Sequence, residues 1–139
     1  MADQIAVLTD ADERTLLTAA HGAVTLMAAA NPGPISSVKA GMAAGMAMTT
    51  ATGLTGQILS IKTKARDLDL GGKNTAEIAD AVLSALTASV ALLAAKAPGE
   101  VDNFRATITT ITEAAMRSHR GEPLPAEAEM ARKIREALV

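Results

Sequence analysis

The feature that most constrains the fold is that part of this chain is written twice. Residues 17–33 read LTAAHGAVTLMAAANPG and residues 83–99 read LSALTASVALLAAKAPG, which align without a gap at an offset of 66. Identities fall at Leu17/Leu83, Ala19/Ala85, Val24/Val90, Leu26/Leu92, Ala28/Ala94, Ala29/Ala95, Pro32/Pro98 and Gly33/Gly99. Pro-Gly recurs in register, followed by PISSVKA in one copy and EVDNFRA in the other. A Pro-Gly pair stops a helix and allows the next to start, so each copy predicts helix, turn, helix. A helical hairpin cannot bury its apolar face alone. Two hairpins related by a pseudo-two-fold axis therefore predict a four-helix arrangement, with a further helix covering one side.

Composition supports the same class. Hydrophobic residues make up 49% of the chain but aromatics only 1%, with Phe104 alone. The core must be built from Ala, Leu, Ile, Val and Met, a set that favours helix over strand. The expectation is an all-α bundle in a single domain covering residues 1–139, with repeat units at about 9–74 and 75–139. A chain of this length buries roughly two-thirds of its unfolded surface. Thirteen basic against 15 acidic residues leave a net charge of −2, which calls for no polyanionic partner. With no Cys there is no disulfide framework, thiolate nucleophile or Cys-ligated zinc, and a cytoplasmic setting is expected. The opening MADQIAVLTDADERT has no basic region leading into an apolar run, so no signal peptide is expected.

Five helical segments follow from periodicity and capping. The first starts near Thr9 or Asp10, where a hydroxyl and three carboxylates suit a helix N-terminus, and runs to about Ala30. The second starts near Ser36 or Ser37 and is expected to reach about Arg66. Its seam is Ala40, Ala44, Ala47, Ala51, Leu54, Ile58, Ile61, Ala65 and Leu68, in alternating steps of about four and three. DLDLGGK, residues 67–73, is a turn, after which Asn74 or Thr75 caps the third helix, with Glu77 placed for a capping box. The fourth carries Phe104, Ile108, Ile111 and Ala115 on one stripe. The last opens with Pro125 in its first turn, places Glu127 and Glu129 early and Arg132, Lys133 and Arg135 late, and turns Ala131, Ile134 and Leu138 inward.

Residues 40–61 carry no charge over 22 positions. That is long enough to raise a membrane span. Four threonines, four glycines and no Trp or Tyr argue against one. Gly41 and Gly45 form a GxxxG, a pattern that lets helices approach closely. The expectation is a central helix packed on more than one side. A wide apolar surface there is also suited to a second subunit, so a homodimer is expected.

Candidate chemistry is thin. His21 shares the apolar side of the first helix with Leu17, Val24 and Ala28, and its counterpart in the second copy is Thr87. A lone histidine there reads as a core residue rather than a base. His119, in a basic helix end, reads as a solvated cation near the dipole's negative pole. No Glu-x-x-His pair is present, so the di-iron bundle pattern is missing. Asp67, Asp69 and Gly72 mimic part of a calcium loop, but Gly71 and Ile78 stand where further ligands belong. A metal site is therefore not expected. Lys62, Lys64 and Arg66 are followed at once by Asp67 and Asp69, with no aromatics to stack bases, which excludes nucleic acid as a natural partner. Met42, Met46 and Met48 offer either core filling or an adaptable binding surface.

The duplicated Ala-rich helix, Gly-containing turn and second helix, closing with GEPLPAEAEMARKIREAL, resembles TerB-type helical domains associated with tellurite resistance and stress response. That resemblance implies a stress-associated accessory role. The family's acidic Asp-Gly turns are replaced by Asn31-Pro-Gly-Pro and Ala97-Pro-Gly-Glu, with only Glu100 and Asp102 acidic, so no metal ligands carry over. The expectation is a non-enzymatic protein-interaction bundle without cofactor, whose pocket or interface involves His21, Met42, Gly45, Met46 and Thr49. Two alternatives are an apolar small-ligand bundle and a membrane-associated protein using residues 40–61.

Overall fold

Thr9 starts the first helix. Its Oγ1 accepts from the Asp12 backbone N–H, and the Asp12 carboxylate accepts from the Thr9 N–H, both at 3.0 Å. This reciprocal cap satisfies two otherwise orphaned donors. The computed structural model describes residues 8–31, 33–61, 63, 68, 70, 74–118 and 124–139. Among them are six α-helices and a short 3-10 turn at Pro98–Glu100. The helices are α1 (Asp10–Ala29), α2 (Pro34–Met48), α3 (Gly53–Leu59), α4 (Thr75–Lys96), α5 (Val101–Met116) and α6 (Pro125–Ala137). Asn74 caps α4 through its Oδ1, which accepts from the Glu77 N–H at 2.9 Å. Lys96, in the last turn of α4, pairs with Asp12, so α1 and α4 run antiparallel. Between them Gly22 lies so close to Val82 that an added Cβ would come within 2.3 Å of a Val82 methyl.

The second helix differs from expectation. It starts at Pro34 and ends at Met48, and a separate α3 follows, so the single helix expected over residues 36–66 is interrupted. Thr49 and Thr50 donate their hydroxyls back to the carbonyls of Met46 and Ala47, at 2.6 and 2.7 Å. Such back-bonding competes with continuation of the helix. Gly53 then adopts φ of +66°, a conformation costly for any residue with a Cβ. Glu100 seals the new start, its Oε1 accepting from the Thr55 N–H at 2.9 Å and the Thr55 hydroxyl at 3.1 Å. Asn103 donates to the Thr52 carbonyl at 2.8 Å. The seam survives the break in part: Ala40, Ala44, Leu54, Ile58 and Leu68 are buried, Ala47 and Ala51 are half-buried, Ile61 is exposed, and Ala65 lies outside the described residues.

α1 and α5 form the inner pair. α2 packs on both, and α4 lies chiefly on α1, so α2 and α4 take opposite corners. The core between them includes Leu26, Met27, Leu54, Ile58, Leu86, Leu93, Phe104, Ile108 and Ile111, all essentially solvent-free. The expected pseudo-two-fold packing is not realised. α1 and α2 pack closely, whereas α6 also inserts against α4 and α5, and these two touch each other less. Thr87 on α4 donates to the Ala137 carbonyl at 2.8 Å, and Arg105 on α5 donates through Nε to the Leu138 carbonyl at 2.7 Å. The C-terminal end of α6 is thereby fixed to both helices.

Candidate functional site

α2 fully buries only Ala40 and Ala44. Gly41 faces α1, where its Cβ position lies 3.4 Å from the Ala28 methyl. On the other side Ile35, Val38, Met42 and Met46 are exposed by 72%, 60%, 63% and 69%. Their spacing of three and four places them on one stripe. Thr49 continues the stripe and is also exposed. Gly45 lies beside it, with open space at its Cβ position. Lys39, exposed on the same side, is the only charged residue in α2. The helix therefore packs on α1 and α5 but leaves a wide apolar face open, in place of the enclosed central position expected for it. Met42, Met46 and Thr49 lie on this face, and Gly45 lies beside it.

His21 does not join them. It sits half-buried on α1, its Nε2 enclosed and without a hydrogen-bond partner. Burial holds its pKa below the ordinary 6.5, favouring neutral imidazole. Asp67, Asp69 and His119 lie outside the described residues. Lys62, Lys64 and Arg66 do so too. Among the described residues no three His, Asp or Glu side chains converge to hold a metal. Clefts of about 160 and 240 Å³ open between helices and one of about 310 Å³ between α1 and Ile61, Thr63 and Leu68, and none of these three is lined by His21, Met42 or Met46. The stretch 40–61 is divided between helices of 15 and 7 residues, each too short to cross a bilayer. Among the described residues α4 alone has the length and hydropathy for a crossing.

A buried polar cluster holds α2 in place. Asn31 follows α1 and donates to the Met27 carbonyl and to Glu127 Oε2, both at 3.0 Å. Its Oδ1 accepts from the Ser36 hydroxyl at 2.8 Å. Glu127, fully buried, also accepts from the Leu124 N–H at 3.1 Å. One amide thus ties the end of α1, the start of α2 and the start of α6. The first-turn position of Glu127 is readable from sequence as a dipole complement. Its bond with Asn31, 96 residues away, is signalled by no local pattern. Lys96 donating to Asp12, aided by the Thr9 N–H, holds that carboxyl below the usual range.

No family model matches the chain, and no curated protein or solved structure is similar to it.

Proposed function

We propose that this chain is a protein-association module whose contact surface is the outer face of α2. The observation that carries the reading is four large apolar side chains, Ile35, Val38, Met42 and Met46, standing open on one helix. Contiguous exposed apolar surface favours association, because covering it releases water at about 25 cal/mol per Å². Methionine suits such a surface, since its unbranched side chain adapts to a partner. The clefts favour a ligand less, being smaller than the roughly 300–1,000 Å³ of ordinary small-molecule sites or only at its lower edge. The TerB-like organisation suggests a stress response as the setting and adds no residue to the surface.

The test is to compare the chain with a Met42→Glu, Met46→Glu variant in extracts of the cells that produce it. The native chain is expected to elute above its monomer mass of 14.1 kDa, and the variant at that mass. Both should unfold at closely similar temperatures, because exposed positions contribute little to stability. A native chain eluting as a monomer, or a variant eluting with the native complex, defeats the proposal.

A further inference from the structure

We infer that the groove between α5 and α6 is a binding site for one small zwitterion, an α-amino acid with a branched aliphatic side chain such as leucine. The site stands apart from the α2 face and needs nothing from it. At about 240 Å³ this cleft is the most enclosed of the three. α5 and α6 touch only lightly along it. The end of α6 is nevertheless fixed, by Thr87 at the Ala137 carbonyl and by Arg105 at the Leu138 carbonyl. The groove is therefore a standing feature of the fold, and a ligand entering it has little to order.

Its floor is apolar. Met116 on α5 and Ala131, Ile134 and Leu138 on α6 line it, and the last three are almost solvent-free. Thr112, also in the wall, donates its hydroxyl to the Thr109 carbonyl at 2.8 Å and keeps no proton for a ligand. The volume is that of about eight waters at about 30 Å³ each. Valine and leucine, with about eight and nine non-hydrogen atoms, are of that size, and the aromatic amino acids exceed it.

Charge decides what the occupant carries. Glu113 lines the groove from α5 and Arg135 from α6, and the two do not pair with each other. Among the described residues Arg135 has no carboxylate partner. On its own helix Arg132 takes both Glu129 and Glu136, and the positions three and four from Arg135 hold Ala131, Arg132, Leu138 and Val139. Glu113 meets Arg117 at 4.0 Å, with both side chains largely exposed, where an ion pair is weak. Opposite charges thus flank an apolar floor. An amino acid lying across it sets its ammonium on Glu113, its carboxylate on the planar fork of Arg135 and its side chain on Ile134 and Met116. A fatty acid or an amine matches one wall only. Both ion pairs lie at the solvent-exposed rim, so Kd is on the order of 1 mM.

Titration of the purified chain with L-leucine, followed through the Met116 methyl resonance, tests the site. A saturable shift is expected, with Kd on the order of 1 mM. Isocaproate, which lacks the ammonium, and isoamylamine, which lacks the carboxylate, should each bind about three- to fivefold more weakly. Arg135→Gln should weaken leucine by a similar factor without weakening isoamylamine, and Glu113→Gln should weaken leucine without weakening isocaproate. Loss of fold does not produce that crossed pattern, and both positions are exposed, where substitution changes stability little. Absence of a saturable shift with leucine up to about 20 mM overturns the assignment. So does isocaproate or isoamylamine binding as tightly as leucine, or a variant that weakens all three alike. The Met42→Glu, Met46→Glu variant should bind leucine as the native chain does, so failure here leaves the α2 reading standing and failure there leaves this one.

Discussion

Phe104 on α5 is fully buried, and Val38, 66 residues earlier on α2, is 60% exposed. The same inversion runs along both helices. Ile108, Ile111 and Ala115 are buried where Met42, Gly45 and Thr49 are not, while Ala40 and Ala44 are buried where Ala106 and Thr110 are exposed. The first helices behave otherwise: Leu16 and Val82, Met27 and Leu93, and the small pair Ala23 and Ser89 are buried alike. Segments alike in sequence at this offset therefore form helices that pack differently. What a helix buries is decided by its neighbours, and α6 packs on α1, α4 and α5 but not closely on α2. The apolar pattern retained on α2 is left without such cover.

The largest test of this difference is a pair of truncations. Phe104→Ala should cost about 3–5 kcal/mol, because the lost transfer energy and the cavity add. Val38→Ala, at the equivalent position, should change stability by no more than about 0.5 kcal/mol in dilute solution. Urea unfolding of both variants measures it. A comparable loss at Val38 would mean that the α2 face is covered within the single chain.

The position of α2 depends on Asn31, whose counterpart at the offset is Ala97. Asn31→Ala removes donors to Met27 and Glu127 and an acceptor for Ser36. The expected loss is about 1–3 kcal/mol, the cost of leaving buried polar groups without that partner. Amide exchange should quicken at the first turns of α2 and α6 together. Faster exchange in only one of them would mean that the amide does not couple them.

Helix class, starts and most inward faces were legible because they rest on local chemistry. Thr9 and Asn74 cap as their side chains require, and Ala131, Ile134 and Leu138 are buried at helical spacing. The break after Met48 was less legible. Its signal is Thr49, Thr50, Thr52 and Gly53 in close succession, but the apolar seam continues through them, and periodicity alone reads one helix. The seal on that break comes from Glu100, 45 residues beyond Thr55. The open α2 face was legible only as an uncharged stretch. Whether such a stretch is core or surface depends on which helices surround it, and periodicity does not specify neighbours.

Two glycines divide along the same line. Gly22→Ala drives a methyl into fully buried Val82 and should destabilise by about 1–3 kcal/mol. Gly45→Ala meets open space and should stabilise the monomer by up to about 1 kcal/mol through helix propensity. Thermal unfolding at low concentration measures both. A loss at Gly45 similar to that at Gly22 would place that face inside the fold.

The smallest effect distinguishes the first helices of the two halves. At one offset position Thr87 donates to the Ala137 carbonyl, while at the other His21 has an enclosed Nε2 with no partner. Burial depresses the His21 pKa below 6.5. Above that pH both folded and unfolded chains hold a neutral imidazole, and the residue adds no pH dependence. As the pH falls below 6.5 the unfolded chain takes up a proton that the folded chain resists, so stability declines until the folded pKa is passed. The Asp12 carboxyl is also depressed, but its contribution is lost only as the pH falls below its ordinary 3.8. The two windows are therefore separate. The urea midpoint should drop between about pH 7.5 and about pH 5.5, and His21→Thr, the residue used by the other half, should flatten that drop. His119 is retained in both proteins, so its titration cancels in the comparison. An equal drop in the variant would assign the proton to another group and leave the two first helices alike in their response to pH.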